Sequence, residues 1–171
     1  TGFTALVKNI LQYPIRYTAD YLFACSKESG EWLYRKKVYK KENFYIVKNA
    51  IDSKKYIFNQ SKREEIRKKF NIEDKFVIGH VGRFHPAKNH EFLIDIFKEV
   101  HARNDKAVLM LVGDGDLRCT IKKKVGILEL ADSVIFTGTR NDIPELLQAM
   151  DIFVFPSLYE GLSVAVIEAQ V

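Results

Sequence analysis

Two clusters of residues have the types and spacing to do chemistry. In "FVIGHVGRFHPAKN" (76–89) an apolar run ends in Gly82, and Arg83 and Lys88 follow within six positions. A guanidinium can fork two hydrogen bonds onto phosphate oxygens and an ammonium acts as a point charge, so the pair suits a diphosphate. Two cations on a solvated loop would produce the same spacing. In "YEGLSVAVIEA" (159–169) Glu160 lies in a loop after an apolar run, and Gly161 permits close backbone approach. The amides of Leu162, Ser163 and Val164 open a predicted helix, an arrangement that suits an anion. Glu168 lies inside that helix among apolar residues, where a carboxylate is costly without a hydrogen-bonding partner; acids beside a helix N-terminus are also simply dipole-favourable. A third stretch, "GDGDLR" (113–118), imitates a dinucleotide fingerprint, but Arg118 replaces the third glycine and no acidic residue follows at the next strand end. Asp114 and Asp116 have the spacing of a metal pair. The expected reading is a tight turn instead, with Gly115 at positive φ and an aspartate starting the helix, and no metal.

These groups need a frame to hold them. The chain has 171 residues, 47% of them hydrophobic, enough for a sizeable core. It contains no apolar run near the roughly 18 to 20 residues that cross a bilayer, and nothing resembling a secretory leader. Cys25 and Cys119 lack metal-ligand spacing and are expected to be buried thiols. Charge is uneven: residues 1–75 carry 17 Lys/Arg against 9 Asp/Glu, and residues 76–171 carry 10 against 13. Basic runs at 34–41 and 61–70 could form solvated helical faces, attract an anionic membrane surface or touch nucleic acid. Glu64 and Glu65, three or four residues before Arg67, Lys68 and Lys69, favour the solvated face, and no nucleic-acid partner is expected.

Periodicity alternates along the chain. Helices are expected over 4–13, after a Ser26 cap through "KESGEWLYRKK", from a Ser61–Glu64 capping box through Phe70, and over 90–103 with Phe92, Ile96, Phe97 and Val100 inward. Further helices are expected at 117–130, 142–150 and 163–171. Strands are expected at 20–26, 44–52, 75–82, 107–113, 133–138 and 151–157. Their apolar runs are continuous rather than alternating, which predicts an α/β fold, a Rossmann-like parallel sheet covered by helices on both faces. In such sheets ligands bind at the carboxyl ends of the strands. Those ends carry Gly82, Arg83 and Lys88, then "GDGD", then Gly138, Thr139 and Arg140, then "PSLYEGLS".

The ordered set "VGRFHPAKN", "LVGDGDLR" and "VIFTGTRNDIPELLQAMDIFVFPSLYEGLSVAVIEA" resembles the C-terminal nucleotide-sugar domain of retaining GT-B glycosyltransferases. Glu160 and Glu168, with seven residues between them, match that family's E-x7-E motif. The resemblance implies that Arg83 and Lys88 grip the donor diphosphate and that Glu160 contacts the transferred sugar. It further implies that Glu168 binds the ribose hydroxyls and that backbone at Gly138, Thr139 and Arg140 lies by the nucleobase. The implied reaction moves a hexose from a UDP- or GDP-sugar to a glycan or lipid-linked acceptor with retention, without a cofactor, in bacterial polysaccharide synthesis. A non-enzymatic nucleotide-binding or assembly module of the same fold is the alternative. Residues 1–50 are expected to be the last unit of an acceptor-side domain and 51–171 part of the donor domain, an incomplete GT-B fold inactive alone. The expected location is cytoplasmic, with peripheral contact at the anionic inner membrane face as an option.

Overall fold

The structure, a computed structural model, describes Pro14, Ile15 and residues 17–171; the helix expected over 4–13 lies outside them. The described residues divide into two compact units. One contains those up to Ala50 together with Gly161–Ser163, the other Ile51–Glu160 and Val164–Val171.

In the first unit β1 (Leu22–Ala24) runs parallel to β2 (Phe44–Ile46), and α1 (Lys27–Tyr34) connects them. Ser26 caps α1 as its sequence predicts, its Oγ accepting the Ser29 N–H at 3.1 Å. The helix stops short of the basic "RKK" because Arg35 turns to φ 75°. Both strands are shorter than the predicted ranges, and Cys25, just past β1, is half-buried.

The second unit is built on a parallel sheet of order β5-β4-β3-β6, formed by β3 (Phe76–Val81), β4 (Ala107–Val112), β5 (Val134–Gly138) and β6 (Ile152–Phe153). Every residue of β4 is buried, because successive side chains enter opposite covered faces. Leu109 and Leu111 pack with Leu93 and Phe97 of α3 (His90–His101) and Ile121 and Val125 of α4 (Arg118–Ile127). Val108 and Met110 pack with Ile66 of α2 (Gln60–Lys69) and Leu146 and Ala149 of α5 (Ile143–Ala149). α6 (Val164–Ala169) follows. No helix among the described residues is long and apolar enough to cross a membrane.

Several local expectations are corrected. Asn59, not Ser61, caps α2: its extended backbone aims Oδ1 at the Lys62 N–H, 3.0 Å away, and leaves Ser61 inside the first turn. The buried stripe of α3 is His90, Leu93, Ile94 and Phe97, so Phe92 faces outward at 52% exposure. Cys119 is exposed, off the Ile121–Val125 stripe of α4. Asp116 does not cap α4, whose N-cap is Leu117 without a side-chain bond.

β6 is the largest departure, two residues where 151–157 is predicted. The Val154 N–H still reaches Gly79 O at 2.9 Å. The Val154 carbonyl, however, accepts from the His80 ring Nδ1 at 2.9 Å instead of a strand N–H, and Pro156 has no N–H to continue the ladder. At the other end of β6, Asp151 accepts the Val77 N–H at 2.7 Å and pairs with Arg67 at 3.2 Å and with Arg63. Burial pushes the Asp151 carboxyl up, but the Val77 N–H and both guanidinium groups outweigh it and hold it below the usual range.

Candidate functional site

The loops after β3 and β4 are laced together by backbone. Gly82 N–H donates to Val112 O at 2.9 Å, Phe84 N–H to Asp114 O at 3.0 Å and Leu117 N–H to Phe84 O at 3.1 Å. The glycines of "GDGD" make this possible. A Cβ on Gly113, at φ 132°, would lie 2.2 Å from Gly82 O, and one on Gly115, at φ 155°, 2.7 Å from Phe84 O. Phe84 is fully buried and stacks on His90 with ring centroids 4.1 Å apart. Burying Phe84 anchors the loop and leaves its neighbour Arg83 outside, where it pairs loosely with Asp116 at 3.5 Å. Asp114 is engaged by Arg118 at 3.2 Å and by the Gly115 N–H at 2.7 Å. Among the described residues no cluster of three His, Cys, Asp or Glu side chains gathers for a metal.

Lys88 ends a short 3-10 turn, Pro86–Lys88, that His85 opens by accepting the Ala87 N–H on its ring Nδ1 at 3.3 Å. The segment following β6 is tied to this turn. Leu158 N–H donates to Ala87 O at 2.9 Å and Asn89 Nδ2 to Pro156 O at 3.3 Å. Those ties bring Lys88 Nζ to 2.7 Å from Glu160 Oε1, with side-chain exposures of 20% and 30%. The Lys88 ammonium also sits 4.6 Å from the Phe155 ring centroid. A Cβ on Gly82 would lie 2.9 Å from the His80 Nε2 and 3.4 Å from the Lys88 stem, so this glycine chiefly leaves room for the imidazole.

Beneath the pair are two buried imidazoles that the sequence reading does not single out. His80 and His90 meet edge to face, centroids 4.8 Å apart. Burial pushes the His80 ring down to about 4 and the His90 ring down to about 3, with the Lys88 charge adding to both. Both are therefore neutral near pH 7. The Val154 carbonyl fixes the His80 proton on Nδ1, and its Nε2 faces the Gly82 backbone with no protein partner.

Past β5, Gly138 turns at φ 73° and its carbonyl accepts the Gly113 N–H at 2.9 Å. Thr139, Arg140, Asn141, Asp142 and Glu145 line a hollow of about 440 Å³. Arg140 Nε donates to Asp142 Oδ1 at 2.8 Å and Nη2 to the other oxygen, so the guanidinium is clamped in one plane. That pair holds the Asp142 carboxyl below its usual range.

Glu168 is half-buried rather than buried, since no residue of α6 is buried, and the Tyr56 hydroxyl donates to its Oε1 at 2.5 Å. Burial, followed by this carboxylate, pushes the Tyr56 phenol up to about 12. The two line a hollow of about 250 Å³ with Phe58, Ile152 and Phe153. Of the remaining candidates, Gly161, Leu162 and Ser163 belong to the first unit. There Asn49 Nδ2 donates to Leu162 O at 2.7 Å, and a Cβ on Gly161 would meet Ser29 Oγ at 2.5 Å. Val164 begins α6. The second unit thus joins Lys88 to Glu160 and seats Gly82 against Lys88. It holds Arg83, Arg140 and Glu168 with other partners. Phe155, His80, Tyr56 and Asp142 join the site without having been singled out; the first two sit inside apolar runs that signal only burial.

A parallel α/β sheet carries these loops at its carboxyl edge, and the chain belongs to the glycosyl transferases group 1 family, whose model matches residues 62–171. It is 37% identical over 153 residues to the putative glycosyltransferase EpsF of Bacillus subtilis, covering 89% of this chain and 40% of EpsF. It is 33% identical over 129 residues to an Escherichia coli UDP-Gal:alpha-D-GlcNAc-diphosphoundecaprenol alpha-1,3-galactosyltransferase, covering 73% of this chain and 33% of the relative. Anabaena HepE, solved with UDP and glucose, superposes with a TM-score of 0.80 at 24% identity, covering 91% of this chain and 43% of HepE. The fold is that of GT-B glycosyltransferases, and the chain spans about two fifths or less of the length of these relatives.

Proposed function

We propose that the loops after β3, β5 and β6 form the donor half-site of a retaining glycosyltransferase. The enzyme moves a hexose from a UDP- or GDP-sugar to a glycan or lipid-linked hydroxyl in bacterial polysaccharide synthesis. The observation that carries this reading is the meeting of Lys88 and Glu160, from loops after two adjacent parallel strands, at 2.7 Å. A cation that faces a carboxylate at a strand edge can serve a diphosphate and the sugar attached to it. Arg83 and Lys88 neutralise charge that grows on the departing diphosphate. Glu160 orients the sugar, Glu168 accepts from the ribose hydroxyls, and backbone at Gly138, Thr139 and Arg140 borders the base. The leaving phosphate assists deprotonation of the acceptor on the same face, which retains configuration. The reaction needs no metal or cofactor. It takes place in the cytoplasm, with the basic N-terminal part of the chain against the anionic inner membrane face.

The test is a panel of UDP-, GDP- and ADP-sugars with the full-length protein, its Arg83→Ala, Lys88→Ala and Glu168→Gln variants, and product analysis. Each lost charge-assisted bond is worth roughly 1.5 to 3 kcal/mol, about one to two decades. Arg83→Ala and Lys88→Ala should lower kcat, because their contact strengthens towards the transition state. Glu168→Gln should raise KM, since the ribose contact is equal in both states. Unchanged constants in both cation variants would show that the β3 loop is only a solvated connection.

A further inference from the structure

The aromatic ring beneath Lys88 has no part in the donor reading so far. The Lys88 ammonium lies 4.6 Å from the Phe155 centroid while bonded to Glu160 at 2.7 Å. Phe155 is itself held from behind, stacked on His80 with centroids 5.6 Å apart and on Phe153 at 6.0 Å. His80 is fully buried and pinned through Nδ1 to the carbonyl of Val154, the residue before Phe155. The ring thus rests against an imidazole that this hydrogen bond holds in place. A lysine stem has four rotatable bonds and a strongly hydrated head, so an ammonium that leaves one anion would ordinarily disperse into water. An aromatic face attracts a cation without neutralising it.

We propose that Phe155 is a positioning residue for Lys88, a fixed ring over which the ammonium stays while it passes from Glu160 to the diphosphate of the donor. The proposal rests on the reading of Lys88 as a diphosphate ligand. Donor phosphate takes the place of the Glu160 carboxylate on the ammonium, Glu160 is released towards the sugar, and the ring keeps the cation in register through the exchange. His80 acts one layer further out, through Phe155.

The experiment replaces Phe155 in the full-length protein with Leu, with Tyr and with mono-, di- and trifluorophenylalanine, which weaken the attractive face of the ring while largely keeping its shape. Affinity for UDP and for GDP is measured by calorimetry, and the Lys88 ε-methylene protons are observed by NMR. Phe155→Leu should weaken binding of the preferred nucleotide about three- to tenfold. Tyr should restore it, and the fluorinated series should lose it stepwise. The ε-methylene resonances should lie upfield in the wild type from the ring current and return towards the free-lysine position in Phe155→Leu. Equal affinity across the fluorinated series would overturn the proposal, because a packing role depends on ring shape alone. If Lys88→Ala leaves both nucleotide affinities unchanged, or neither nucleotide binds, the donor reading fails; an upfield ε-methylene position would then leave the ring contact standing but not its role in donor binding.

Discussion

Replacing Glu160 by glutamine should make the empty nucleoside diphosphate bind more tightly while slowing sugar transfer. The Lys88 ammonium is satisfied by the Glu160 carboxylate at 2.7 Å. Any phosphate that claims Lys88 must displace that carboxylate or approach it as a like charge. Attraction between unit charges at this distance runs from about 1.5 kcal/mol in water to about 6 kcal/mol at an effective dielectric of ~20. Side-chain exposures of 20% and 30% admit enough water to draw the value towards the lower limit. The glutamine amide keeps a weaker hydrogen bond, so the change in competition is about 1 to 1.5 kcal/mol, or about five- to tenfold in UDP or GDP affinity. With an intact nucleotide sugar the variant should lose turnover instead, because in the proposed donor site Glu160 orients the sugar. Calorimetric titration of the wild type, Glu160→Gln, Lys88→Ala and the double variant separates these effects. In the Lys88→Ala background the gain from Glu160→Gln should shrink sharply, since only direct carboxylate–phosphate repulsion remains. Weaker or unchanged diphosphate binding in Glu160→Gln would refute the competition argument.

Three further outcomes are expected. His80 is held down to about 4 in the folded protein against an ordinary value of 6.5, so the unfolded chain binds the proton first and stability falls as pH drops through that window. The loss between pH 7 and pH 5 is about 2 kcal/mol from this residue, and urea unfolding of His80→Gln should show a correspondingly flatter pH dependence. Gly113→Ala forces a Cβ to 2.2 Å from Gly82 O at φ 132°. It should cost about 3 kcal/mol or more in chemical denaturation, against roughly 1 kcal/mol for an ordinary glycine change. The excess of cations in residues 1–75, 17 against 9 acids, should make the full-length protein co-sediment with anionic liposomes at low salt and detach as ionic strength rises; binding that ignores salt would count against that membrane contact.

The sheet was legible in the sequence because it depends on composition alone. "KFVIGHVG" and "AVLMLVG" are apolar at nearly every position, and a strand covered on both faces requires that. What failed depends on competition between groups, some adjacent on the chain and some far apart in sequence. Asn59 displaces Ser61 as a cap through one residue's backbone angle. β6 stops after Phe153 because a histidine 74 positions away takes the next carbonyl. The reach of Lys88 to Glu160 shows the same division. Each residue is conspicuous on its loop, but their meeting depends on a backbone hydrogen bond from Leu158 to Ala87 and on one from the Asn89 side chain to the Pro156 carbonyl.

His80 was least visible for the same reason that it matters. An imidazole within an apolar run reads as one more buried residue, and burial does keep it neutral. Buried polar groups are generally hydrogen-bonded, and for His80 the acceptor is the carbonyl beside Phe155. By ending the ladder at Val154, His80 frees the following backbone from the sheet. Pro156, Leu158 and Glu160 can then turn towards the β3 loop, where a regular strand would have kept the chain extended along the edge. The short strand and the Lys88–Glu160 contact thus both draw on this side-chain hydrogen bond, together with Pro156 and the hydrogen bonds from Leu158 and Asn89, and the core of this sheet extends directly into the candidate site.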